Sequence, residues 1–485
     1  MKKRFPVFAG LMSAVLALSL FGCGNQPYDK DIWMNKDGYT VPTEAYELPT
    51  SANFGDEVSV HDPSVFYDDV TEKYYAFGTH FAVASSPDLI SWTQEATDGQ
   101  YEKLYSKAAY LHNNVNWPQA LKPILEVVDP DSSISTTWAP DVMKIGDRYY
   151  MYFSITSGFG SNKSAIGRVS ASKVLGPYSG AEMIVYSEGT SKDEPNCIDP
   201  ELFYDAEGKL WMVYGSHYGG IFIKELDKNG LPVVSDRNNE NYYGTRVWKG
   251  GGTVVEGPFV FYNAETEYYY LMTTYGDLQT NYNMRVARSK TPDGPYTDIS
   301  NRSLGTTYDV NGGNKLAGNY QFRNGPLKVA TGHNSVIKKD GKYLVVSHVR
   351  NALKGAHHLE VKQLFFNEDG WPVMSPNRYV GENPGLVTQE QAAGTYDVVV
   401  HTAGADVTTV NSVRYTLNAD GKIVNGSEQM GTWSVSQNYY VTITLGEITY
   451  KGVVAPGWRE YSPAGVLCMT LTSTTGNALW LNAAP

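Results

Sequence analysis

The chain lacks most of what marks a nucleotide- or nucleic-acid-handling protein. It carries 39 Lys and Arg against 51 Asp and Glu, a formal charge of −12, and such a surface repels phosphate backbones. It has no G-x-x-x-x-G-K-[ST] loop to cradle a phosphate and no C-x-x-C pair to hold structural zinc. Cysteines number three in 485 residues. Only the first two dozen residues contain a long apolar run, and helical periodicity is scarce. What remains is 42% apolar and 19% charged, the balance of a globular protein with one large and one smaller domain.

The opening run, MKKRFPVFAGLMSAVLALSLFGCG, has a basic head, an apolar stretch and then a cysteine. That is an export leader over residues 1–22. Leu20-Phe21-Gly22-Cys23 looks like a bacterial lipobox, so Cys23 is expected to be the lipid-modified first residue of the mature chain. Pro6 and Gly10 break the run and disfavour a spanning helix. The membrane is therefore a partner only through that anchor, and the protein is expected at the cell surface or secreted. Cys197 and Cys468 then remain, in different domains; an oxidising compartment permits a disulfide, and two buried free thiols are expected. Residues 23–54, polar and rich in Pro, Asp and Asn, are expected to form a tether that becomes a first outer strand.

The rest is short apolar and aromatic runs separated by Gly, Asp, Asn and Pro, which favours an all-β fold. Five segments repeat one hairpin pattern: HDPSVFYDDVTEKYYAFGT, WAPDVMKIGDRYYMYFS, IDPELFYDAEGKLWMVYGS, VEGPFVFYNAETEYYYLMTT and GHNSVIKKDGKYLVVSH. Taking Val65, Val142, Leu202, Phe259 and Val336 as the first strand positions, the residue three places earlier is Asp62, Ala139, Asp199, Glu256 and His333. The spacings of 77, 60, 57 and 77 residues suit four-stranded blades of a five-bladed propeller over 55–380, whose inner strands meet at one axis. The five positions would then form one ring at a central pit. An acid before a strand is commonly a turn former. Clustered carboxylates repel one another, however, and a purely structural site would avoid them.

HDPSV, TTWAPDV, NCIDPELF, VEGPFV and TGHNSV, in that order, resemble the five-bladed propeller glycosidases of glycoside hydrolase family 43, most closely its endo-α-1,5-L-arabinanases. The resemblance implies Asp62 as general base, Glu256 as general acid and Asp199 as the group that raises the pKa of Glu256 and helps orient it. Residue types agree, since inverting hydrolysis pairs one protonated with one ionised carboxyl. The resemblance also implies a calcium ion at His333, held largely by water because calcium prefers oxygen. It places Gly146, Asn196 and Ser216 along the sugar groove, with Trp138 and Phe81 as stacking candidates. Asp141 is expected in a structural or groove-edge role.

From 385 to 485 the texture becomes alternating strands joined by Asn, Asp and Gly turns. A small β-barrel or sandwich is expected, with Trp433 and Trp458 in its core. The substrate implied is arabinan or a related pectic polysaccharide, acted on by a monomer. Two rivals are weighed. An exo-acting arabinofuranosidase or β-xylosidase would use the same propeller with a blocked groove. A non-catalytic glycan-binding lipoprotein would make the acids dispensable.

Overall fold

A computed structural model describes residues 41–106, 109–112, 115–128, 136–250, 255–306, 308–404 and 408–485. The expected leader and Cys23 lie outside the described residues. No helix among the described residues is long and apolar enough to cross a membrane.

Five blades follow the five repeats: four are antiparallel four-stranded sheets, and the fifth adds two short strands, Tyr320–Gln321 and Val410–Asn411, to its four, the last of them parallel. The first strands of the five repeats are Ser64–Asp68, Thr136–Ile145, Glu201–Tyr204, Val255–Asn263 and Leu327–Lys339. Each is joined by a tight turn to its second strand. In blade 3 the turn is locked by Asp205, whose carboxylate accepts from the amides of Glu207 and Lys209, both at 2.9 Å. It also accepts from Trp211 Nε1 at 2.9 Å.

The runs are apolar on both faces because every blade is covered on both sides. Five clusters fill the gaps between neighbours. Phe77, Val142, Met151 and Phe153 join blades 1 and 2, and Ile166, Leu202 and Met212 join 2 and 3. Val213, Ile221, Val260 and Leu271 join 3 and 4, and Met272, Met284, Val345 and Leu364 join 4 and 5. Ala76, Ala84, Leu344 and Val346 close the ring between 5 and 1. Burying a side chain of this size contributes about 1.5–3 kcal/mol, so the circle is held by packing. The expected outer strand from residues 23–54 is not formed by its described part. Blade 1 supplies its own fourth strand, Thr93–Ala96, and Gly55 makes only a single bridge to Trp92.

Gly394–Ala483 forms a closed eight-stranded antiparallel barrel, which settles the barrel-or-sandwich alternative. Trp433 lies in its core and Trp458 is half-buried. Val399 and Trp480 of the barrel pack into the cluster between blades 4 and 5. Cys197 and Cys468 are both buried free thiols.

Candidate active site

Each blade starts with the same backbone device. Asp62, Ala139, Asp199 and His333 adopt left-handed φ values of 54, 33, 56 and 44°. In blade 4 the equivalent residue is Gly257, at φ 55°, and not Glu256. Glu256 precedes the ring position by one residue, as His61 and Trp138 do in their blades. Non-glycine residues in this region cost about 1–3 kcal/mol each, so something must hold them there.

Hydrogen bonds from the preceding blade do so. The ring amides of Ala139, Asp199 and His333 donate to Thr79 Oγ1, Ser154 Oγ and Thr274 Oγ1 at 2.9, 3.0 and 2.8 Å. The amide of Asp62 donates to His348 Nδ1 at 3.2 Å. All four acceptors sit where a second strand ends. In blade 4 the acceptor is functional as well: the Gly257 amide donates to Asp199 Oδ2 at 3.0 Å. This bond brings the Asp199 carboxylate against the backbone that carries Glu256. Deeper along the axis, Asp141 accepts from Ser64 Oγ and from the Leu202 amide. Glu201 accepts from the Val260 amide at 3.1 Å. Asp141 thus ties three blades together, the structural role expected of it.

Asp62, Asp199, Glu256 and His333 line one cavity of about 300 Å³. Asp62 accepts from Thr79 Oγ1 at 2.6 Å and pairs with His61 Nδ1 at 2.8 Å and His333 Nδ1 at 3.1 Å. The Tyr282 hydroxyl donates to Glu256 Oε1, and His217 Nδ1 lies 3.7 Å from Glu256 Oε2.

The environment drives these acids in opposite directions. Burial alone would raise Asp62, but the charges of His61 and His333 hold it well below the usual carboxylate range. Glu256 is raised well above its usual value, first by burial and then by the negative charge of Asp199. Burial, partly offset by His333 and reinforced by Asp62, lifts Asp199 to about 6. Burial would lower His333, but Asp62 and Asp199 carry it up to about 9. Near neutral pH the pit therefore holds Asp62 and Asp199 ionised and Glu256 protonated. That division is the requirement for splitting water activation from proton donation.

The sequence pattern of glycosyl hydrolases family 43 matches residues 56–372, the whole propeller with its site. The chain belongs to that family. The family's C-terminal lipocalin-like domain matches residues 376–481, the barrel. An extracellular endo-α-(1→5)-L-arabinanase of Bacillus subtilis is 36% identical over 91% of this chain and 96% of its own length. A second, from Thermotoga petrophila, is 36% identical over 87% of this chain and 93% of its own. The crystal structure of the Thermotoga petrophila endo-1,5-α-L-arabinanase superposes with a TM-score of 0.79 at 35% identity. It covers 89% of this chain and 99% of that one.

Not every residue expected in the family 43 groove lies in the cavity. Trp138 lines it and meets Phe159, itself 82% exposed, edge to face at 6.1 Å. Phe81 does not line it. It is 1% exposed and packs against Tyr105 and Phe153, so no sugar can stack on it. Gly146 occupies the exposed hairpin turn at the far end of blade 2's first strand, seven residues past the ring position. At about 3.3 Å per residue that is roughly 20 Å away. Asn196 and Ser216 are buried and bond to each other at 3.1 Å. Asn196 also accepts from Ser164 Oγ at 2.7 Å. This network braces the segment leading to Asp199 and does not line the cavity.

The lining also includes His61, Thr79, Phe159, Tyr282, Arg350 and His357, none of them expected from sequence. Thr79 is the final residue of its repeat segment, and Thr274 and His348 end theirs, so a signal existed for this set. Tyr282 and Phe159 carry none, because they come from variable loops.

Gly257 is constrained twice. Its φ is 55°, and a Cβ there would lie 3.0 Å from His333 Cγ. Gly257→Ala is expected to push His333 off Asp62 and lower kcat at least about tenfold. It should also destabilise the fold by about 1–2 kcal/mol, the penalty for an L-residue in this region. Steady-state kinetics and calorimetric unfolding check the two parts separately.

Proposed function

We propose that this family 43 hydrolase is an endo-arabinanase that cleaves α-1,5-L-arabinofuranosidic bonds within arabinan, with inversion. The observation that carries the reading is the single pit in which Asp62 is held ionised while Glu256 is held protonated. Asp62 is the general base and takes a proton from the attacking water. Glu256 is the general acid and gives its proton to the departing glycosidic oxygen. The anomeric C–O bond breaks as the water oxygen bonds on the opposite face. Asp199, through its charge and its bond to the Gly257 amide, raises Glu256 and fixes its backbone. Trp138 and Phe159 offer ring faces to the sugars.

The two relatives described above bear the endo name, and they span nearly the whole chain. An exo-acting arabinofuranosidase of Cellvibrio japonicus is 27% identical over 65% of it. Incubation with linear arabinan followed by product sizing tests the choice. Short oligomers appearing early are expected, and arabinose alone from the outset would overturn the endo reading.

A cation beside His333 forms part of the proposal. The pit's charge suits one: Asp62 and Asp199 lie there, and Asp62 Oδ1 meets imidazoles, His333 Nδ1 at 3.1 Å and His348 Nδ1 at 3.7 Å. With His333 as its protein ligand, the imidazole's second proton being released on binding, calcium would be held mainly by water. When bound, such an ion would supply positive charge beside Asp62. Here Asp62 also orients the imidazole, as carboxylates do for metal-ligating histidines. His333→Ala is expected to lose bound calcium, measured by elemental analysis, and activity together. Full activity in chelator-treated enzyme would remove the ion from the account.

Export is proposed on the leader and on the extracellular names of the two relatives. Cys23 would be the anchor, and metabolic labelling with a fatty acid, lost in Cys23→Ser, tests it.

A further inference from the structure

A second and larger cavity, about 1190 Å³, lies between the propeller, the barrel and the segment entering from residue 41. Its wall includes Asp340–Lys342, the turn joining the first two strands of blade 5, and Glu265, in the corresponding turn of blade 4. Along those strands His333 precedes Asp340 by seven residues and Glu256 precedes Glu265 by nine. The groove therefore lies on the propeller face opposite the pit.

Its chemistry is selective. Five lining side chains are acidic, Glu44, Glu47, Glu265, Asp340 and Glu382, against Lys342 alone as a cation. Phosphates and other anions are repelled. Two lining groups are buried and unsatisfied. Gln363 is 2% exposed with no partner at Oε1, and Glu382 is 6% exposed with none at Oε1. The other Glu382 oxygen accepts from the Val380 amide at 2.7 Å. A buried acceptor without a donor costs about 1–3 kcal/mol, so an apolar occupant would leave that penalty in place. Phe366 and Tyr343, both half-buried, add ring surface to the same wall. Hydroxyl donors on a flat, uncharged, partly apolar body satisfy all of these conditions together.

We infer that the groove is a second binding site for a neutral oligosaccharide, and that on this enzyme its ligand is a stretch of the arabinan chain. Gln363 Oε1 and Glu382 Oε1 accept sugar hydroxyls, and the rings take the apolar faces of the furanoses. A chain held on the far face keeps a long polymer near the enzyme while the pit works on another part of it. The effective concentration of substrate at the pit rises without any new contact there. The ligand's identity rests on the arabinanase reading, whereas the site's existence rests on the groove.

The test is calorimetric titration of full-length Glu256→Gln with linear α-1,5-arabinohexaose. Two sites per chain are expected. Gln363→Leu removes the acceptor while keeping an apolar strand residue, and Asn383→Trp narrows the exposed rim. Each should abolish one site and leave the other. Trp138→Ala should weaken the remaining one. One site in the parent, sensitive only to Trp138→Ala, overturns the groove and leaves the arabinanase reading standing. A site sensitive only to Gln363→Leu upholds the groove while removing the pit's ligand. Two sites that survive both groove variants, or a groove-dependent heat with calcium chloride alone, overturn this inference.

Discussion

Glu256→Gln is expected to lower kcat on linear arabinan by about 10²–10⁴-fold, the usual worth of a positioned general acid, with KM little changed. The amide keeps the shape and can still accept from Tyr282, so the fold should persist and only the proton is lost. A change in KM alone would show that Glu256 binds sugar and does not protonate it. The pH profile gives a second readout. Activity should fall on the alkaline side as pH rises through the raised pKa of Glu256. Asp199 is the first charge, after burial, that raises it. Asp199→Asn should therefore move the alkaline limb to lower pH, because removing a neighbouring anion makes Glu256 release its proton more readily. An unmoved limb would separate Asp199 from that role.

Asp62→Asn should be at least as damaging, again about 10²–10⁴-fold in kcat, and for a different reason. Asp62 is ionised because His61 and His333 hold it so. Its Oδ2 is fixed by Thr79 at 2.6 Å and its Oδ1 by His333 at 3.1 Å, which holds the carboxylate in place for the attacking water. The amide cannot take a proton from that water. The loss should be uniform across pH, since no remaining group replaces the base, whereas the Glu256 variant loses a titrating limb. Recovery of activity at high pH would mean that hydroxide or another residue substitutes, and Asp62 would then be a binding group.

The architecture was legible because its signals are local and repeated. Each hairpin carries its own turn chemistry and aromatic second strand, and five copies in order leave few alternatives. The ring was legible almost to the residue. It slipped by one in blade 4, where Phe259 looks like a first strand residue but is only half-buried. The prolines Pro63, Pro140, Pro200 and Pro258 mark the true alignment, one step after each left-handed residue. Phe81 and Gly146 failed for another reason. A side chain's direction at a turn depends on backbone angles that sequence spacing does not report. Phe81 itself has φ 59°, which sends its ring inward to Phe153. Tyr282 was invisible because its loop has no repeat to align, and Arg350 because it lies two residues past the repeat segment that ends at His348. Arg350 reaches the pit with its Nε bonded to the Leu278 carbonyl at 3.0 Å, a pairing between a strand end and a loop far apart in the chain.

Ala139 stands where its four counterparts are Asp62, Asp199, Gly257 and His333. It has the same twisted backbone and the same support from Thr79, and it brings no chemistry of its own. Two of the five pedestals, Gly257 and Ala139, are thus bare, and because a Cβ at Gly257 would meet His333, the free one is Ala139. New reactivity could be seated on it without rebuilding the scaffold, because the bonds that hold that spot in place come from the neighbouring blade and ignore what the side chain is.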